Sequence, residues 1–324
     1  MMTALRRIGL LRQGPPEVLT VGAGELPPPG TGEVLVRVAA AGVNVVDLHQ
    51  RSGAYRVRLP MVPGFEGSGT VLRTGASVAG VAAGDRVAWG GVAASYASHC
   101  LVPAGRLVPV PDGVSLVDAA AVLIQGMTAH LLATDVVPLG PSSTCLVLAA
   151  AGGVGGLLCQ LAARAGATVV AAVGSAGKAR AALDAGAARV VTYAGGRFAA
   201  EVRKLTGGVD VVYDGIGHDT VAEGLMCLRP RGTYVLYGGT GGPAAPLDPQ
   251  LLKARGSLFL TAPSLAHYDD TRERMRRRAA DVFALVAAGV LRVRVHASYP
   301  LEQAAAAHRA LESRAAIGKI LLVP

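Results

Sequence analysis

The chain has 324 residues, of which 51% are hydrophobic and 4% aromatic, with 43 glycines. That length exceeds the roughly 250 to 300 residues at which single cores stop growing, so two domains are expected, and the composition excludes a disordered or fibrous chain. Thirty-one Lys and Arg against 22 Asp and Glu leave +9, but much of the charge is local. "TRERMRRR" (271–278) has no interleaved aromatic to stack on bases, which favours a solvated helix face over a nucleic-acid surface.

The opening "MMTALRRIGLLRQG" lacks the apolar core of a signal peptide. Cys100, Cys145, Cys159 and Cys227 lie far apart with no C-x-x-C pair, as in reduced core thiols. Both features predict a cytoplasmic protein. "GEVLVRVAAAGVN", "GSGTVLRTG", "GDRVAWGG" and "ASHCLVPAGRLVPV" follow as short strands with Gly and Pro turns, the pattern of an all-β barrel or sandwich.

From residue 144 the pattern changes. "TCLVLA", "ATVVAAV", "ARVVTY", "VDVVYD", "GTYVLYG" and "GSLFLTA" are apolar strands, separated by helices predicted at 155–165, 176–185, 197–206 and 218–228. Continuously apolar strands alternating with helices predict a doubly wound parallel sheet. Residues 144–163 carry no charge and are long enough to span a bilayer, but the glycine cluster in their middle fits a strand, a turn and a buried helix instead. The closing "RVRVHASYPLEQAAAAHRALES" and "GKILLVP" return to strand and helix and are expected to rejoin the N-terminal domain.

The stretch "AAAGGVGGLLCQ" (149–160) follows a strand and opens a helix inside a unit running from Thr144 to Val173. Its glycines suit close helix packing or the approach of backbone N–H groups to a phosphate. The 30-residue context and the A-x-G-x-x-G pattern of Ala150, Gly152 and Gly155 point to a dinucleotide. An enzyme selecting NAD places an acid about 20 residues on, to hold the ribose hydroxyls. No acid occurs from Val169 to Leu183, where Ser175 and Lys178 stand instead. A hydroxyl and an ammonium suit a 2′-phosphate, so the predicted cofactor is NADPH.

"GVNVVDLHQRSGAY", "AAAGGVGG", "VGSAGKARAALDAGA", "VVYDGIGHDT" and "LESRAAIGKILLVP" together resemble the NADPH:quinone oxidoreductases, the zeta-crystallin-like branch of the medium-chain dehydrogenases/reductases. The resemblance implies an α/β chain with a GroES-like β-barrel catalytic domain (1–121, rejoined by 264–324) and a Rossmann domain (122–263). It also implies a cleft between them, and a homodimer through the Rossmann sheet edge. It places Asn44 and Tyr55 on the catalytic side, with Thr128 beside the nicotinamide ribose. Ser175, Lys178 and Tyr193 fall on the 2′-phosphate, and Arg314 on the cofactor. Gly152, Gly153, Val154, Gly155, Gly174 and Gly238 complete the expected cofactor-binding set.

Two positions depart from the family's pattern: His49 stands where a second tyrosine is common, and Ala262 where an arginine is. Asn44 and Phe65 replace zinc ligands of the metal-dependent relatives, so no metal is expected. Without a Lewis acid, quinones and conjugated enones are the expected hydride acceptors, with Asn44, Tyr55 and His49 as candidate donors to the developing oxygen charge. His49 could equally be an ordinary polar residue at a helix end, and Tyr55 a packing residue. A dedicated biosynthetic enoyl or enone reductase, and a non-catalytic NADPH- or RNA-binding protein, are the other readings.

Overall fold

The computed structural model describes residues 2–193, 195–218 and 220–324. The chain forms two compact units, one of residues 1–124 and 271–324, the other of residues 125–270.

In the first unit, β1 (Thr3–Leu10) pairs antiparallel with β2 (Leu19–Leu26). β3 (Glu33–Val43) is followed by the short helix α1 (Val45–Ser52), which Gly53 ends in a left-handed conformation, φ 97°. Then come β4 (Glu66–Thr74), β5 (Arg86–Gly90), β6 (His99–Pro103) and β7 (Leu107–Pro109). The helix α2 (Leu116–Leu131) leads from the first unit into the second. By length and composition the segment Leu116–Val136 could cross a membrane, but 61% of its 18-residue apolar window is buried inside the protein, as in a core helix.

The second unit contains β8 (Thr144–Leu148), α3 (Gly153–Arg164), β9 (Thr168–Val173), α4 (Ala179–Asp184) and β10 (Arg189–Thr192). It continues with α5 (Ala199–Thr206), β11 (Val209–Asp214), α6 (Val221–Cys227), β12 (Leu228–Leu236), α7 (Pro249–Ala254), β13 (Phe259–Thr261) and α8 (Leu265–Tyr268). The chain closes in the first unit with α9 (Arg272–Ala287), β14 (Val295–Pro300), α10 (Ala304–Glu312) and β15 (Lys319–Val323).

The second unit's sheet has the order β10-β9-β8-β11-β12-β13, all parallel. Leu146, Leu148, Val170 and Ala172 are buried in its core, as strands covered on both faces require. The order reverses between β8 and β11, and in such sheets ligands bind at the carboxyl ends of the strands beside this switch.

The first unit's sheet runs β14-β15-β3-β4-β5-β7, with β6 also on β3. Its pairing path is open between β14 and β7. β3 is long enough for three partners: β6 pairs with Glu33–Arg37, β15 with Ala41–Val43, and β4 along Val34–Gly42 with bulges at Leu35/Val36 and Val38/Ala40.

Three details differ from the sequence reading. The expected 176–185 helix is split into a 3-10 turn at Ala176–Lys178 and α4. The domain crossings expected after 121 and 263 fall after 124 and 270, since α2 runs unbroken through the first and α8 stays with the second unit. The strand read as "GTYVLYG" begins earlier, at Leu228.

Candidate functional site

The turn after β8 is shaped by what its glycines lack. Gly152 caps α3 with no side-chain hydrogen bond, so the first N–H groups of the helix remain available to an external acceptor. A Cβ on Gly155 would stand 2.4 Å from the carbonyl oxygen of Ala149, so the helix could not pack this close with any side chain there. A Cβ on Gly153 would stand 1.9 Å from Gln125 Oε1. The Gln125 amide on α2 therefore lies against the turn, and that oxygen is buried without a partner. Thr128 follows Gln125 by three residues, on the same face of α2. Val154 is half-buried in the first turn of α3.

At the next strand end, the hydroxyl of Tyr193 lies over Gly174, 3.1 Å from where a Cβ would be. The Tyr193 N–H donates to Val173 O at 3.0 Å. Exposed Ser175 opens the 3-10 turn that carries Lys178, whose N–H donates back to Ser175 O at 3.1 Å. Partial burial lowers the Lys178 ammonium below its ordinary pKa. The fold thus gathers Gly174, Ser175, Lys178 and Tyr193 at the ends of β9 and β10, with no carboxylate in the turn.

A third turn follows β11. The Asp214 carboxylate is fully buried and accepts from Ile216 N (2.6 Å), Gly217 N (3.2 Å), Thr220 Oγ1 (2.8 Å) and Tyr234 Oη (2.6 Å). It freezes the Gly215–Gly217 turn, on which Gly238 packs so closely that a Cβ would stand 2.8 Å from Gly215 O. Sequence reasoning selected Gly238 but missed Asp214; the Asp-Gly-x-Gly spacing at a strand end was the available signal.

The catalytic candidates lie in the first unit. Asn44 precedes α1, and its N–H donates to Asp47 Oδ2 at 2.8 Å. The Asn44 side chain turns away from the helix: Nδ2 donates to Glu66 Oε1 (2.9 Å), and Oδ1 accepts from Lys319 Nζ (2.7 Å). His49 and Tyr55 meet edge to face, ring centroids 4.8 Å apart, and the Tyr55 N–H donates to His49 O at 2.9 Å. Gln13 Nε2 donates to Tyr55 O and Gln50 O, both at 2.9 Å, and pins the loop. Tyr55 is 51% exposed, and partial burial lowers the His49 pKa, so His49 is neutral at pH 7. Arg314 follows α10 in a left-handed conformation, φ 55°, also in the first unit.

Beneath Asn44 runs a buried polar chain. Tyr96 Oη donates to Asp47 Oδ2 (3.2 Å) and lies 3.1 Å from His308 Nε2. Burial pushes the Asp47 carboxyl up to about 7 and the His308 imidazole down to about 3.

Comparison with known proteins places this geometry. Residues 30–112 match the alcohol dehydrogenase GroES-like domain, and residues 185–322 match a family described as zinc-binding dehydrogenase. A GroES-like domain joined to a Rossmann-like parallel sheet defines a medium-chain dehydrogenase/reductase. Over 324 residues the chain is 39% identical to the quinone oxidoreductase of Salmonella typhimurium, covering 98% of this chain and 99% of that one. The crystal structure of Escherichia coli quinone oxidoreductase complexed with NADPH superposes with a TM-score of 0.95 at 37% identity, over 98% of this chain and 100% of that one. A 2-haloacrylate reductase from a Burkholderia species is 39% identical over 91% of this chain and 92% of its own length. The chain belongs to the quinone oxidoreductase family.

The residues do not fit the zinc that one matched family's description implies. Asn44 offers a neutral amide, and the ammonium of Lys319 already holds Glu66. Burial raises the Cys100, Cys145 and Cys227 thiols to about 12, away from the thiolate zinc needs. Among the described residues no three His, Cys, Asp or Glu side chains are grouped to hold a metal.

Proposed function

We propose that the chain reduces quinones and related α,β-unsaturated carbonyls with NADPH and without a metal. The observation that carries this reading is the strand-end cluster of Gly174, Ser175, Lys178 and Tyr193, which offers a hydroxyl, an ammonium and a phenol where an NAD enzyme needs a carboxylate. Bound NADPH supplies the hydride. Gly152, Gly153, Val154 and Gly155 hold the pyrophosphate on backbone N–H groups, with Thr128 toward the nicotinamide end and Gly238 keeping the neighbouring turn thin.

Asn44 and Tyr55 donate to the acceptor oxygen as it gains charge. His49, neutral at pH 7, shapes the same surface and can donate its ring N–H. The protein does not need to ionise the substrate, because a quinone or enone is already electrophilic at carbon. A reductase dedicated to one conjugated substrate is the second reading, favoured by the likeness to a 2-haloacrylate reductase and by His49 and Ala262.

A homodimer is part of the proposal. β13 ends the parallel sheet with Phe259 61% and Leu260 43% exposed, an apolar edge suited to a second copy. A cytoplasmic location fits four buried free thiols.

Initial rates with NADPH and NADH, followed by nicotinamide absorbance, test the reading against a benzoquinone, a polycyclic ortho-quinone, a linear enone and an enoyl thioester. Fast NADPH-selective quinone reduction is expected. Turnover of the enone or thioester alone would favour the dedicated reductase, and tight NADPH binding without turnover would overturn both.

A further inference from the structure

The first unit buries a complete ion pair beside Asn44. Lys319, the first residue of β15, is 1% exposed, and Glu66, the first residue of β4, is fully buried. The Lys319 ammonium is bonded to Glu66 Oε1 and also donates to Asn44 Oδ1 at 2.7 Å. Asn44 Nδ2 donates to that same Glu66 oxygen, closing a three-membered ring of side chains. The other Glu66 oxygen accepts the Ile124 N–H at 3.1 Å. The backbone is thinned to admit the pair: a Cβ on Gly42 would stand 2.3 Å from Glu66 Oε1 and 2.7 Å from Lys319 Cε.

Stability is a weak reason for such a pair, because desolvation offsets most of the Coulomb attraction and apolar replacements are often as stable. What the pair does accomplish is the orientation of one amide. An ammonium has no acceptor and a carboxylate no donor, so Asn44 must turn Oδ1 to Lys319 and Nδ2 to Glu66. Among the described residues the remaining Nδ2 hydrogen has Gly42 O, at 3.4 Å, beyond the usual 2.7–3.2 Å range. It is the bond a ligand oxygen can replace.

We infer that Lys319 is a positioning residue for the reduction, and that it relays positive charge through the Asn44 amide to the acceptor oxygen. The inference rests on the reading of Asn44 as a substrate-facing donor. A cation bonded to the amide oxygen polarises the amide and makes its N–H a stronger donor. Hydride adds to the acceptor carbon, and the π electron pair moves onto oxygen as an enolate, which in the quinone case tautomerises to the aromatic quinol after protonation. That oxygen then takes a proton from water. NADPH is the sole reductant, and neither Lys319 nor Asn44 loses a proton. The buried ammonium thereby performs, through one amide, the charge stabilisation that a metal would supply directly.

The test uses Lys319→Met, the neutral pair Lys319→Met with Glu66→Gln, Lys319→Arg, and Asn44→Ala. Each is measured for kcat and KM with a quinone at saturating NADPH, for NADPH affinity, and for Tm. Removing one oxyanion donor costs about 100- to 1,000-fold in kcat; removing a charge acting through that donor should cost roughly 10- to 100-fold. The expected result is low kcat with unchanged NADPH affinity in Lys319→Met, and part of kcat recovered in Lys319→Arg. The neutral pair leaves no uncompensated charge and should recover Tm but not kcat, so it carries the test even if Lys319→Met does not fold. Recovery of kcat together with Tm would overturn the inference and leave the pair a packing device. Low kcat in Asn44→Ala beside normal kcat in the neutral pair would overturn the relay alone. Normal kcat in Asn44→Ala would overturn the Asn44 reading and the relay with it.

Discussion

The two candidate sites of this chain are made of opposite materials. In the second unit, the candidate cradle at the ends of β8, β9 and β11 works by omission: glycines expose backbone N–H groups and leave open space beside them, and the cationic Lys178 is only half-buried. In the first unit, the surface around Asn44 works by burial: Lys319, Glu66 and Asp47 are taken out of water and paired with Asn44 and Tyr96. A ligand that brings its own charge needs donors already in place, and backbone supplies them without desolvating an ion. A reaction in which charge appears only on the way to product benefits from a charge the protein has itself placed.

This contrast can be broken most severely at Asp214, the fully buried carboxylate that holds the turn after β11. Asp214→Ala orphans two backbone N–H groups and the Tyr234 hydroxyl, leaves Thr220 Oγ1 only its bond to Gly217 O, and should cost about 4 kcal/mol in urea unfolding. A cost below about 1 kcal/mol would mean that the turn holds without it. Next in size is Lys178→Ala. A hydrogen bond to a charged group contributes roughly 1.5 to 3 kcal/mol, so NADPH affinity in a fluorescence titration should fall about 10- to 100-fold while NADH affinity stays unchanged. An equal loss for both cofactors would remove Lys178 from the 2′-phosphate.

The buried side of the comparison is sharpened by pH. The Asp47 carboxyl, ordinarily at 3.8, is raised to about 7, so between those values the folded state holds a proton that the unfolded state has lost, and stability declines as pH rises. The His308 imidazole, ordinarily at 6.5, is lowered to about 3, so in that window the unfolded state holds the extra proton and stability increases with pH. The two slopes oppose each other where the windows overlap. Relative to the parent chain, His308→Gln should therefore lose stability from about pH 4 to 6.5, and Asp47→Asn should gain it from about pH 4 to 7. Urea midpoints at three pH values check both signs; two flat differences would show that neither group is shifted as its burial implies. The smallest effect belongs to Tyr55→Phe. Loss of one exposed hydroxyl donor should lower kcat/KM for a quinone about 2- to 10-fold without changing NADPH affinity. No change would make Tyr55 a wall of the pocket.

The cradle was legible because its signals are local. The glycine spacing, the strand before it and the absence of an acid up to Leu183 all lie within a few dozen residues, and Gly174, Ser175, Lys178 and Tyr193 follow at the ends of β9 and β10. Gln125 escaped notice because nothing in "QGMTAH" says that its amide will fill the space left by Gly153. The first unit was harder to read. Asn44, His49 and Tyr55 stood out through the resemblance carried by "GVNVVDLHQRSGAY", whereas Lys319 looks like any lysine before an apolar strand.

The sequence by itself determined the alternation of apolar strands and helices and the glycine-rich turn after β8, because each depends on which side chains are present or missing along a short run. Only the tertiary structure decided how Asn44 is held. The pairing of β15 with β3, and of β3 with β4, brings Lys319 and Glu66 to it from distant parts of the chain, and burial leaves those charges paired with one another and with the Asn44 amide between them.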